Sequence, residues 1–212
     1  SSVGSPRFTD QNGFYSFDDL AAGNYRVVET QPQDWIDGLD AAGTIGGVVV
    51  GAAVNPGDEI QQVSLNWGEN GIEYNFGELL PSSIRGVVHG DPNQNCFVDP
   101  GETLLKGVRV DLLDASGDVV AITLTDSQGE YFFENLAPGT YTVREEQPDA
   151  YFHVGQRRGS GDGDDSVADL ITSITIGSGV DLVDYNFCEL PHSTISGFVF
   201  QDGPTILTPD GK

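Results

Sequence analysis

Across residues 82–192 apolar and polar residues alternate, and almost nowhere do apolar residues recur at helical spacing. Stretches such as "YTVRE" and "ITSITI" place every second side chain on one face, the period of a half-buried strand. The pattern predicts strands over Ile84–His89, Gly107–Leu113, Val119–Thr125, Tyr131–Glu134, Thr140–Glu145, Leu170–Ile176 and Leu182–Cys188. Turn residues separate them. In "DSQG" the glycine supplies a positive φ, and "APGT" marks another turn. Seven strands in about 110 residues, with no amphipathic helix, indicate an all-β fold built as a β-sandwich.

The chain also repeats itself. "FTDQNGFYSFDDLAAGNYRVVETQP" (residues 8–32) lies over "LTDSQGEYFFENLAPGTYTVREEQP" (residues 124–148). "YNFGELLPSSIRG" (74–86) lies over "YNFCELPHSTISG" (185–197). The offset is about 111–116 residues, the size of a domain rather than a solenoid turn. Residues 1–81 then read as the back part of one sandwich repeat, 82–192 as a complete repeat, and 193–212 as the first strand of a third. "LLPSS" and "LPHS" would be short, stiff, proline-bearing linkers. The aromatics at matched positions, Tyr15, Phe17 and Tyr25 with Tyr131, Phe133 and Tyr141, are expected in the core.

Charge narrows the partners. The chain has 212 residues, 33 acidic and 9 basic, for a net charge of −24. Such a surface repels nucleic acid and anionic membranes. No apolar run reaches membrane-spanning length, so no membrane insertion is expected in this segment. The opening "SSVGSPRFTD" is not a secretory leader, so a leader was removed or this is an internal piece. Three readings of the charge are open: bound divalent cations, a high-salt habitat, or an acidic tail. Interspersed acids weigh against the tail.

One stretch gives the cations a place. In "DPNQNCFVDPGE", Asp91, Asn93 and Asn95 fall at positions 1, 3 and 5 of a calcium loop, and Asp99 at 9. The carbonyl of Phe97 takes position 7, and Glu102 at 12 can bind through both oxygens. The ligands are local to the loop, so strands can hold its ends as well as helices. Cys96 stands at position 6, where a positive φ is needed and glycine is usual. A free thiol would gain nothing for that conformation, whereas a disulfide would fix it. The first and last strands of the repeat should both end at the pole facing the next domain, which brings Cys188 near Cys96. The alternative is two buried free cysteines. A second acidic cluster, Asp162, Asp164, Asp165 and Asp169, is either a second cation site or a solvated loop. Asp126 and its mate Asp10 read as turn-capping residues, with a place at the loop's pole as the other option.

The pattern of calcium loop, "TDSQGEYFFENL", "PGTYTVREEQP" and "YNFCE" resembles the serine-aspartate-repeat B domains, close to the Cna-B-type modules of large bacterial surface proteins. The resemblance covers the whole second repeat and the back of the first. It implies an immunoglobulin-like or transthyretin-like sandwich, bound calcium, and an extracellular, secreted or cell-surface stalk whose partners are neighbouring repeats. Many Cna-B-type modules carry a lysine–asparagine or lysine–aspartate isopeptide bond. Only Lys106 and Lys212 are available here, and neither lies on a first strand, so no such bond is expected. No enzyme motif stands out, and Glu145 and Glu146 read as solvated edge residues rather than an acid–base pair. Arg157 and Arg158 read as ordinary arginines of an exposed loop, or else a protease site. The alternative to a calcium-stiffened spacer is an adhesive or self-assembling module, in which copies of the chain exchange strands to build a filament.

Overall fold

The computed structural model describes residues 5–200, and no helix occurs among them. They divide into two compact units that part between Pro81 and Ser82.

The first unit contains β1 (Gly23–Val28), β2 (Ile36–Asp37), β3 (Thr44–Ile45), β4 (Val48–Val49), β5 (Ala52–Val54), β6 (Glu59–Leu65), β7 (Gly71–Ile72) and β8 (Glu78–Leu79). Its longest ladder joins β1 to β6, with β5 on the other side of β6. Ile60 and Val63 of β6 are its buried apolar side chains among the described residues.

The second unit holds the larger core. Its strands are β9 (Ser82–Gly90), β10 (Thr103–Leu104), β11 (Arg109–Leu113), β12 (Val119–Leu124), β13 (Glu130–Leu136) and β14 (Gly139–Glu145). They continue with β15 (Tyr151–Arg157), β16 (Asp164–Val167), β17 (Leu170–Ile176), β18 (Asp181–Leu182) and β19 (Asn186–Pro191). One sheet is organised around β9, which pairs antiparallel with β10 and β13 and parallel with β18 and β19; β15 extends it beyond β19. The other sheet runs β12–β11–β14–β17–β16, antiparallel throughout. Ile84, Val88, Tyr131, Phe133 and Phe187 from the first sheet, with Tyr185 from the link between β18 and β19, meet Val110, Leu112, Val143, Ile171 and Ile174 from the second. Most are the alternate positions that the hydropathy pattern assigns to one face; Ile171 and Ile174, three apart, both turn inward because β17 bulges at Ser173, whose φ is +57°.

Most expected strands form within a residue or two. Three strands are additional: β10, β15 and β16. The expected strand Leu182–Cys188 is broken in two at Asp184, whose φ is +64°. The Tyr185 N–H bonds the Arg85 carbonyl, and the Tyr185 carbonyl presses onto Gly86. A Cβ on Gly86 would sit 1.7 Å from that oxygen, so glycine is required there.

Two further expectations change. Ser193–Phe200 carries no strand, and residues 201–212 lie outside the described residues. Phe17 is 37% exposed, whereas its mate Phe133 is buried. Phe133 pairs with Ile84 of β9, and no strand lies beside Tyr15–Leu20 among the described residues.

Candidate metal centre

The loop from Asp91 to Glu102 leaves the end of β9 and returns through β10, which pairs back onto His89 and Gly90. Asp91 is fully buried at its root. One of its carboxylate oxygens accepts the N–H of Gln94 at 2.8 Å and the other that of Cys96 at 2.7 Å. These bonds curl the chain so that Gln94 and Cys96 both take positive φ, +61° and +55°. Asn93 and Asn95 then converge on Oδ2 of Asp99, donating at 2.8 and 2.9 Å. Those two hydrogen bonds hold the Asp99 carboxyl below the ordinary range. Glu102 closes the ring. Its Oε2 accepts the Asp99 N–H at 2.9 Å and lies 2.8 Å from His89 Nδ1. Its Oε1 is buried and makes no hydrogen bond. The ring of Phe97 lies 4.2 Å beneath the guanidinium of Arg157.

Cys96 and Cys188 are disulfide-bonded, with Cα atoms 5.5 Å apart. Cys188 pairs with His89 in the parallel β9–β19 ladder, and Gly155 of β15 lies against the Cys96 sulfur. The loop is therefore anchored to β9, β15 and β19 together. The sulfurs beside Asp91 are committed to each other, and the ligand positions of the loop itself carry oxygen donors, which suits a hard cation.

Residues 82–187 match the family described as SdrD B-like domain. The chain belongs to that family. The serine-aspartate repeat-containing protein F of Staphylococcus epidermidis is 29% identical over 207 residues, 92% of this chain and 11% of that protein. Protein D of the same description from Staphylococcus aureus strain Newman is 28% identical over 199 residues, 92% of this chain and 14% of that protein. This SdrD B-like chain thus spans about a tenth to a seventh of the relatives it matches. Among solved structures it is similar to the major pilin subunit BcpA of Bacillus cereus, at 14% identity and TM-score 0.38 over 81% of this chain and 60% of that one. It is also similar to the minor pilin of Streptococcus agalactiae, at 15% identity and TM-score 0.35 over 90% and 70%.

Elsewhere in the SdrD B-like unit several expectations are revised. The four aspartates of the second acidic cluster are not brought together. Asp162 accepts the Thr175 N–H, Asp164 the Ser166 N–H, and Asp165 the Arg158 N–H. Asp169 faces His153 instead. Part of the supposed loop is the edge strand β16, on which acids block further pairing. Arg157 and Arg158 are not free in a loop: Arg157 ends β15 over Phe97, and Arg158 donates to the Gly163 carbonyl at 2.8 Å. Asp126 caps its turn, accepting the N–H groups of Gln128 and Glu130, as Asp10 does for Asn12 and Phe14.

Glu145 is the largest departure. It is 3% exposed, not a solvated edge. The signal was present in the alternation, since Tyr141, Val143 and Glu145 share one face of β14. Glu146 points the other way and is exposed, 3.8 Å from the Arg109 guanidinium.

Proposed function

We propose that this chain is a non-catalytic structural segment of a secreted or surface-displayed bacterial protein, a spacer whose complete repeat is stiffened by calcium in the 91–102 loop. One observation carries the reading. The amide groups of Asn93 and Asn95 converge on Asp99, Glu102 accepts the Asp99 N–H, the loop is rooted on a buried Asp91, and a buried oxygen of Glu102 has no partner. Asp91, Asn93, Asn95, Asp99, Glu102 and the Phe97 carbonyl would hold the ion, supplying hard oxygens of the kind calcium takes. The ion would cancel part of the repulsion within a strongly acidic chain. Extracellular modules bind calcium as weakly as about 10⁻⁴–10⁻³ M, so the segment would be firm outside the cell and softer where calcium is scarce. The partners are neighbouring repeats of the same protein.

Native mass spectrometry with and without chelator tests this. We expect a calcium ion lost on chelation and absent from Glu102→Gln, together with a lower melting temperature in chelator. An unchanged melting curve in excess chelator would contradict the reading.

A second reading has its own support. Ser193–Phe200 repeats the sequence of β9 and leaves Ile195, Phe198 and Val199 exposed. Such a segment suits a sheet edge, either in a following repeat or in another copy of the chain. Electron microscopy of the purified chain separates the two, since only exchange between copies gives filaments.

A further inference from the structure

Away from the calcium loop, the second unit buries acid with no visible counterpart. Glu145 ends β14, and neither of its carboxylate oxygens makes a hydrogen bond. Glu189 of β19 is fully buried; Gln147 donates to its Oε2, while Oε1 makes no bond. His153 of β15 and Asp169, in the turn from β16 to β17, complete the group. His153 Nδ1 lies 2.8 Å from Asp169 Oδ1 and 3.8 Å from Glu189 Oε1, and none of these three atoms is hydrogen-bonded. One donor atom from each of the three residues falls within 4.8 Å of the others. Burial, then the charges of Glu189 and Asp169, push the Glu145 carboxyl up to about 9. Burial raises Glu189 to about 7. Converging buried carboxylates require a positive charge or protons to offset them.

The first unit repeats the arrangement. Glu29, Asp58 and Glu78, the sequence mates of Glu145, Asp169 and Glu189, again cluster. The Glu29 N–H donates to the Asp58 carbonyl as that of Glu145 does to Asp169. Gln31 holds Glu78 as Gln147 holds Glu189. Asp37 faces Glu78 across its ladder where His153 faces Glu189.

We propose that His153, Asp169 and Glu189, backed by Glu145, form a second cation site that takes a divalent transition-metal ion such as Zn²⁺. An imidazole nitrogen among carboxylates suits zinc better than calcium, which prefers six to eight oxygens. Ligands about 2.0–2.2 Å from a zinc ion lie roughly 3–3.5 Å from one another, between the two separations observed. His153 and Asp169 are about a quarter exposed and give entry from solvent, with the two glutamates beneath.

The test titrates the calcium-saturated full chain with Zn²⁺ by calorimetry while the imidazole resonances of His89, His153 and His192 are followed by NMR. One equivalent should bind and shift the His153 ring, leaving the His192 ring in place. His153→Gln and Asp169→Asn should each weaken uptake at least tenfold, with melting curves confirming that both variants fold. The wild-type ring shift stands without either variant. Failure of calcium-saturated protein to take up zinc, uptake that leaves the His153 ring unmoved, or uptake by both variants as tight as that of the wild-type chain would overturn the proposal; the first would mean that protons alone neutralise the cluster.

Discussion

Replacing both cysteines with alanine, C96A/C188A, asks how much the second unit depends on its covalent closure. The bond joins residues 92 apart in sequence. In the chain-entropy treatment, releasing a loop of that length returns about 4.6 kcal/mol of freedom to the unfolded chain at 25 °C. Residual structure in the unfolded ensemble trims this, to roughly 3–4.5 kcal/mol. For a unit of this size each kcal/mol moves the midpoint by roughly 3–6 °C, so the melting temperature should fall by about 10–25 °C. Circular dichroism in chelator isolates the effect from calcium. The chain supplies its own reference, because both tryptophans, Trp35 and Trp67, lie in the first unit. The second unit carries Tyr131, Tyr141, Tyr151 and Tyr185, whose near-ultraviolet signal should disappear at the lower temperature. A fall of less than about 5 °C would refute the reasoning, as it would show that the released loop gains little freedom on unfolding.

Four other outcomes follow from particular contacts. Gly86→Ala should cost about 3 kcal/mol or more, because its Cβ would meet the Tyr185 carbonyl at 1.7 Å; denaturant unfolding measures it. The buried Thr125 hydroxyl donates to the Leu105 carbonyl at 2.6 Å and accepts the Val108 N–H at 2.9 Å. Thr125→Val should therefore lower stability by about 2–4 kcal/mol, since it orphans both partners. Burial raises the Asp111 carboxyl, but hydrogen bonds and charge from Arg109 and Arg144 outweigh it, so its pKa lies below the ordinary value. A carboxyl lowered in this way adds stability above its unfolded pKa of about 3.9 and loses it as pH falls through the folded value. Asp111→Asn should cost about 1–2 kcal/mol at neutral pH and flatten the acid limb of a urea-midpoint profile below about pH 4. Finally, calcium at a hundredfold excess over its Kd should add about 2.7 kcal/mol to the wild-type chain and almost nothing to Glu102→Gln.

The sandwich was legible because its strands alternate cleanly and its turns use glycine and aspartate. The pairing of Cys96 with Cys188 was legible because topology alone sends both residues to one pole. Strand β15 was not, because all but one of its seven residues are partly buried and its hydropathy does not alternate. Strand β16 was hidden by its acids, which read as a loop when taken without the neighbouring β17. The grouping of Glu145, Asp169 and Glu189 was written twice in the sequence, once per repeat. Three residues from separate strands and a turn come together only when register is known, so the repetition had no visible meaning before the fold.

The parallel pairing of β9 with β19 has a consequence for a chain under tension. Ser82 and Pro191 lie at opposite ends of adjoining parallel strands, so a pull between them loads the ladder in shear and all its hydrogen bonds share the strain. If that ladder yields, the cross-link between Cys96 and Cys188 carries the load past everything enclosed between them. The path between the grips then runs from Ser82 to Cys96 and from Cys188 to Pro191. It can lengthen to only about 60 Å, against roughly 370 Å for the same span without the bond. The second unit would behave as a safety strap with a short, fixed slack.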